Sequence, residues 1–174
     1  YGDNAGEIIN NASSISMTGS NSVGYYLTNS GNIINKADIT GLSTGNIGIY
    51  SDKGSITNSG NIVLGDSTII DPDNSSKNNY SIGIYGEGAE VGNSGNIKIG
   101  TRGTGIYTEN NKLTNSGIIS SDGEYAVGLW GKTANVENNG EIIMNGNYSQ
   151  GIAGTSQSIL VNNGIITMNG DNST

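Results

Sequence analysis

One short phrase recurs along this chain. Asn-Ser-Gly-Asn-Ile stands at Asn29 to Ile33, Asn58 to Ile62 and Asn93 to Ile97, and Asn115 to Ile119 reads Asn-Ser-Gly-Ile-Ile. Looser copies start at Asn4, Asn138 and Asn162, which makes seven. A second phrase falls between them: Gly48-Ile49-Tyr50, Gly83-Ile84-Tyr85 and Gly105-Ile106-Tyr107. Its variants are Gly24-Tyr25-Tyr26, Gly128-Leu129-Trp130 and Gly151-Ile152-Ala153. The step is 23 residues from Gly105 to Gly128 and again from Gly128 to Gly151, but 35 from Gly48 to Gly83. Self-similarity at such a period marks a solenoid, propeller or array, in which each repeat is one supersecondary unit. A constant core with variable insertions is the habit of a solenoid.

Each repeat resolves into three short strands. Four residues after the motif Asn stands Ile every time: Ile8, Ile33, Ile62, Ile97, Ile119, Ile142 and Ile166. After the Gly of the second phrase stand Tyr25, Ile49, Ile84, Ile106, Leu129 and Ile152. Two residues before each motif Asn stand Leu27, Ile56, Val91, Leu113, Val136 and Leu160. Side chains alternate faces along a strand, so one constant bulky position per strand gives three inward columns. The expected fold is all-β: a single-stranded parallel β-helix of about seven turns, roughly 23 residues each, with three strands per turn. No six-residue sub-period supports a left-handed hexapeptide helix.

The motif Asn and Gly are read as corner residues, since both tolerate positive φ. Asn amides stacked in register can also hydrogen-bond along the axis. The whole chain, 1–174, is expected to form one continuous segment with corner insertions near 11–22, 36–45 and 65–81. The last is the largest and carries Asp66, Asp71, Pro72, Asp73 and Tyr80. Insertions on one face of a solenoid are often its binding face, although surface insertions also cost little.

Composition narrows the chemistry. The net charge of -8 disfavours nucleic acid and anionic membrane as partners. Without Cys there is no disulfide framework, and without His any general base must be a carboxylate, Lys or Tyr. No apolar run is long enough to span a membrane. Chain start at Tyr1 and a final repeat that stops part-way lead us to expect a segment of a longer protein. Asp71-Pro72-Asp73-Asn74-Ser75 has the alternating oxygens of a calcium loop, but it lacks the sixth-position Gly, and its twelfth residue is Ile82. Asp122 with Glu124, and the sole Arg, Arg102, complete the candidate acids and cations. We expect no cofactor, no metal and no catalytic role.

The aromatic residues are more telling. If Ile49 points inward, Tyr50 points outward, and so do Tyr26, Tyr85, Tyr107 and Trp130. These five are the candidate ligand contacts, because aromatic rings suit sugar rings or a partner's surface. The alternative is a self-supporting aromatic ladder.

Thr57 to Ile62 followed by Gly83 to Gly86 resembles the repeats of fusobacterial type V autotransporter adhesin passengers. The resemblance covers essentially the whole chain. It implies a right-handed β-helix stalk on the cell surface, exported across the outer membrane, that attaches to bacterial or host cells. The receptor would be a protein or a glycan. The segment itself would be a monomeric rod, with end-to-end contacts possible and no insertion into membrane. The rival from another class is a carbohydrate-active β-helix enzyme or a phage tailspike-like protein, since function lives in sites grafted on folds.

Overall fold

The computed structural model describes residues 1–3, 5–69 and 78–174. The chain winds into a parallel β-solenoid with three sheets of seven strands each. One full turn reads Thr104–Glu109, Lys112–Asn115 and Ile118–Ser121, and the next reads Val127–Lys132, Asn135–Asn138 and Glu141–Met144. Each strand pairs in parallel with its counterpart one turn away, so consecutive strands in sequence lie in different sheets. We call these sheet A (the Gly-Ile-Tyr strands), sheet B and sheet C, in the order the chain meets them in that turn.

The core is a stack of aliphatic layers. Sheet A contributes Ile49, Ile84, Ile106 and Leu129; sheet B contributes Ile33, Ile56, Val91 and Leu113; sheet C contributes Ile39, Ile62, Ile97 and Ile119. All are buried, and together they form one continuous hydrophobic cluster. A single turn has no second layer to bury this face against, so each turn depends on its neighbours.

The three expected columns are present, but two early copies of the motif were placed in the wrong sheet. Ile8 and Ile33 pair with each other and then with Ile56, so they belong to sheet B. Leu27 pairs with Ser51 and belongs to sheet A. The true partners of Ile62 in sheet C are Ile39 and Ile15. Asn29-Ser30-Gly31-Asn32-Ile33 therefore copies the motif letter for letter one corner too early. The structural counterpart of Asn58-Ser59-Gly60-Asn61-Ile62 is Asn35-Lys36-Ala37-Asp38-Ile39. Asn4, the first motif residue, lies outside the described residues.

This register also corrects the insertions. Ser14–Ser16 and Asp38–Gly41 are ordinary sheet C strands, so the stretches 11–22 and 36–45 are regular parts of their turns. Within 65–81, of which residues 70–77 lie outside the described residues, an isolated antiparallel bridge joins Thr68 to Asn79. Ser67 Oγ donates to the Arg102 carbonyl at 2.9 Å, and Ser81 Oγ donates to the Asp66 carbonyl at 2.9 Å.

The Asn column is a buried ladder. Each Nδ2 donates to Oδ1 of the next turn's Asn: Asn35 to Asn58 at 2.7 Å, Asn58 to Asn93 at 2.7 Å, Asn93 to Asn115 at 2.8 Å and Asn115 to Asn138 at 2.9 Å. The same nitrogens donate to the carbonyls of Ala37, Gly60, Gly95 and Gly117, pinning the corner within each turn. The expected positive φ is absent from these Asn and Gly residues. The glycines serve close approach instead. A Cβ on Gly95, Gly117 or Gly140 would overlap the carbonyl oxygen of the glycine one turn earlier.

Candidate functional site

Sheet A strands start with an outward residue, turn two residues inward, then point outward again. In Ile82–Gly86 the inward pair is Gly83 and Ile84, and the outward pair is Ile82 and Tyr85. Gly83 is required there, because its Cβ would press on the Gly105 carbonyl oxygen at 2.5 Å and on Ile97 Cγ2 at 2.7 Å. The outward residues align between turns: Ile82 with Thr104 and Val127, and Tyr85 with Tyr107 and Trp130. Two rows, an aliphatic one and an aromatic one, thus run along the solenoid axis.

The five expected aromatic residues share one column. Tyr26 pairs with Tyr50, Tyr50 with Tyr85, Tyr85 with Tyr107 and Tyr107 with Trp130. The rings stack at the start, with Tyr1 5.6 Å from Tyr26 and Tyr26 4.8 Å from Tyr50. Further on they meet edge to face, Tyr50 with Tyr85 at 5.2 Å and 85° and Tyr85 with Tyr107 at 4.8 Å and 72°. Burial pushes the phenols of Tyr50 and Tyr107 well above their ordinary range and raises that of Tyr85, and the neighbouring Glu87 and Glu109 add to it. Tyr50 Oη donates to Glu87 at 2.7 Å, and Tyr107 Oη donates to Glu109 at 3.2 Å. Lys132 pairs with Glu109 at 2.8 Å, and the hydrogen bond from Lys132 is the main reason the Glu109 carboxyl titrates below its usual range.

A second aromatic row was missed in the sequence. Tyr80, Arg102 and Tyr125 each stand two residues before an outward residue of the aliphatic row, at the corner leading from sheet C into sheet A. The Arg102 guanidinium lies 4.3 Å from the centre of the Tyr125 ring, and Tyr125 stacks on Tyr148 at 5.0 Å and 9°. Arg102, Tyr125 and Tyr148 all take left-handed backbone, with φ of 56, 56 and 58°. That conformation is unusual for a bulky residue and costs roughly 1–3 kcal/mol each. It throws three large side chains outward from one corner. The readable signal was their spacing: Arg102, Tyr125 and Tyr148 follow one another at the same 23-residue step as the glycines.

Together the rows enclose a trough of about 690 Å³. Tyr85, Tyr107 and Trp130 form one wall, and Ile82, Thr104 and Val127 form the floor. Tyr80, Arg102 and Tyr125 form the other wall, with Ile69 from the long corner completing the lining. That size falls within the range of about 300–1,000 Å³ usual for ligand sites. Of the expected aromatic contacts, Tyr85, Tyr107 and Trp130 line the trough, while Tyr26 and Tyr50 continue their column beyond it.

Among the described residues the candidate acids do not converge. Asp66 Oδ1 accepts the Thr101 backbone N–H at 2.7 Å. Asp122 is exposed and paired with Lys98 at 2.7 Å, and the hydrogen bond from Lys98 holds its carboxyl below the usual range. Glu124 lends its backbone carbonyl to the Arg102 N–H at 2.8 Å. Asp71 and Asp73, with the calcium-like stretch around them, lie outside the described residues. Among the described residues no group of three or more acids is placed to hold a metal ion, and no helix is long and apolar enough to cross a membrane.

Fold and trough define a repeat domain that displays a concave aromatic surface on a solenoid scaffold. The chain belongs to the family described as BigA third pectate lyase-like domain, whose model matches residues 1–132. This agrees with the likeness to an autotransporter passenger repeat seen in the sequence. Comparison with curated proteins and with solved structures gave no match.

Proposed function

We propose that this chain is an adhesive segment of a surface-exposed autotransporter passenger, a rod that carries a receptor-binding trough on its sheet A face. BigA, which gives the family its name, is an autotransporter-like adhesin. The observation that carries the reading is the trough itself, an aromatic concavity built by three successive turns. Aromatic residues and Arg are the side chains over-represented at recognition surfaces. No catalytic step is assigned to it. Among the described residues no carboxylate forms its lining, and Glu87 and Glu109 beside the aromatic column are engaged by Tyr50 and by Tyr107 with Lys132. Export across the outer membrane and display on the cell surface follow from the same reading.

The test is saturable binding of the labelled chain to bacterial and epithelial cells, beside a variant carrying Tyr85→Ser, Tyr107→Ser and Trp130→Ser. The proposal expects saturable binding that falls at least about tenfold in the variant, about 1.4 kcal/mol, with an unchanged β-sheet circular-dichroism spectrum. Equal binding by a folded variant would remove the trough from adhesion and leave a spacer.

A further inference from the structure

Resting on that reading of the trough, we infer that its ligand is an extended peptide segment of a protein partner, with an acidic side chain on Arg102 and an apolar side chain between the aromatic walls. The chemistry of the lining favours this over a glycan. Among the described residues the lining holds phenols, one indole, one hydroxyl, aliphatic groups and a single charge, that of Arg102. No amide or carboxylate side chain is among them. A sugar presents many hydroxyls, and among the described residues the lining answers them only with phenol and hydroxyl oxygens, with no amide or carboxylate to grip two neighbouring hydroxyls at once. A peptide side chain with an apolar body and one carboxylate asks for an aromatic slot and one cation.

Arg102 is placed for that role. It is exposed, its planar face rests on Tyr125, and among the described residues its guanidinium has no carboxylate partner. Stacking on an aromatic face fixes the plane of the fork while leaving its N–H edges free for bidentate contact with a carboxylate. The chain carries a net charge of -8, and Arg102 is the one cation among the described residues that line the trough, so an acidic side chain entering the trough is favoured at this point.

The geometry matches an extended chain as well. The trough spans three strands, on the order of 10 Å between the outer two, and same-face side chains of an extended peptide lie about 7 Å apart. One such pair can set a carboxylate at Arg102 and an apolar group against Trp130 or Tyr107. Rigid Tyr and Trp walls give large contact area with little side-chain entropy to lose, the same economy that antibody paratopes use.

The experiment is selection of a phage-displayed library of random linear nonapeptides on the immobilised chain, with a glycan array run on the same preparation. The inference expects enriched peptides that share one Asp or Glu two residues from an aromatic or branched aliphatic residue. A synthetic peptide of that sequence should bind at least about tenfold more weakly to Arg102→Gln, and equally weakly when its own acid is changed to the amide. Combining both changes should add nothing further, because the pair acts as a unit. Arg102→Glu should restore binding to a peptide whose acid is replaced by Lys. Thermal melts of the Arg102 variants serve as the fold control. Peptides enriched without an acid, or an acid insensitive to Arg102, overturn the inference. Glycan binding that is lost in the Tyr85, Tyr107 and Trp130 variant, with no peptide enriched, also overturns it while leaving the adhesive trough standing. Neither ligand on a chain that still binds cells through the trough overturns the linear-peptide claim alone. Loss of cell binding as well removes both.

Discussion

The side-chain amide of Asn93 donates to Oδ1 of Asn115 at 2.8 Å, and Asn115 in turn donates to Asn138 at 2.9 Å. Each amide is both donor and acceptor in a buried file, so the file has a direction along the axis. Asn115→Ala leaves the Asn93 donor, the Asn138 acceptor and the Gly117 carbonyl each short of a partner. At about 1–3 kcal/mol per unsatisfied group, the loss should be on the order of 3 kcal/mol. Urea unfolding followed by circular dichroism measures it; a loss near zero would mean the ladder is incidental to stability.

Gly117 and Gly92 make a matched pair. A Cβ on Gly117 would overlap the Gly95 carbonyl oxygen, whereas a Cβ on Gly92 meets nothing nearer than the Ile56 carbonyl oxygen at 3.9 Å. Gly117→Ala should therefore force two turns apart and lower the melting temperature markedly. Gly92→Ala should leave it unchanged or raise stability by roughly 0.4–1 kcal/mol, by restricting the unfolded chain. Comparable losses at both sites would contradict the close-approach account.

These two sites also mark what was legible in the sequence. From Ile56 to Ile142 the main inward residue of each strand was readable, because one bulky residue per strand recurs at a nearly constant step, whereas the second inward residues of sheet C, Leu64, Ile99 and Met144, were not named. The first two turns misled because Asn29-Ser30-Gly31 satisfies a different corner with the same letters. Asn29 and Gly31 sit there with φ of 74 and 126°, a left-handed corner, while the ladder corner needs only a small residue and accepts Ala37. Local sequence could not separate the two requirements; stacking on Gly54 and on Gly60 did. The Tyr85 to Trp130 wall was readable from strand alternation. The Arg102 wall was not, because alternation says nothing about a corner residue whose direction is set by positive φ.

Ile106 sits at the centre of the sheet A column and is fully buried. Ile106→Ala should cost about 2–5 kcal/mol through the cavity it leaves. Ile106→Asp should abolish cooperative folding, because it places an unpaired charge among aliphatic side chains. A soluble, cooperatively melting Asp variant would refute the inward assignment.

Alkaline pH should weaken the fold through the strip. Tyr50 and Tyr107 are both raised from an ordinary value of 10.0, chiefly by burial. The unfolded chain sheds those protons first, so their contribution is complete below pH 10 and declines as the pH rises beyond it. Denaturant melts across this range should show the decline, and Tyr50→Phe with Tyr107→Phe should flatten it. An unchanged slope in that double variant would show that other groups control it.

The central claim, that the sheet A trough is the adhesive face, is tested most directly by site-specific photo-crosslinking on live cells. A benzophenone side chain would replace Thr104 on the trough floor or Ser120 on the outer face of sheet C. The account predicts a discrete cell-surface adduct from position 104 and none from position 120. Adducts from 120 alone, or equal yields from both, would contradict it.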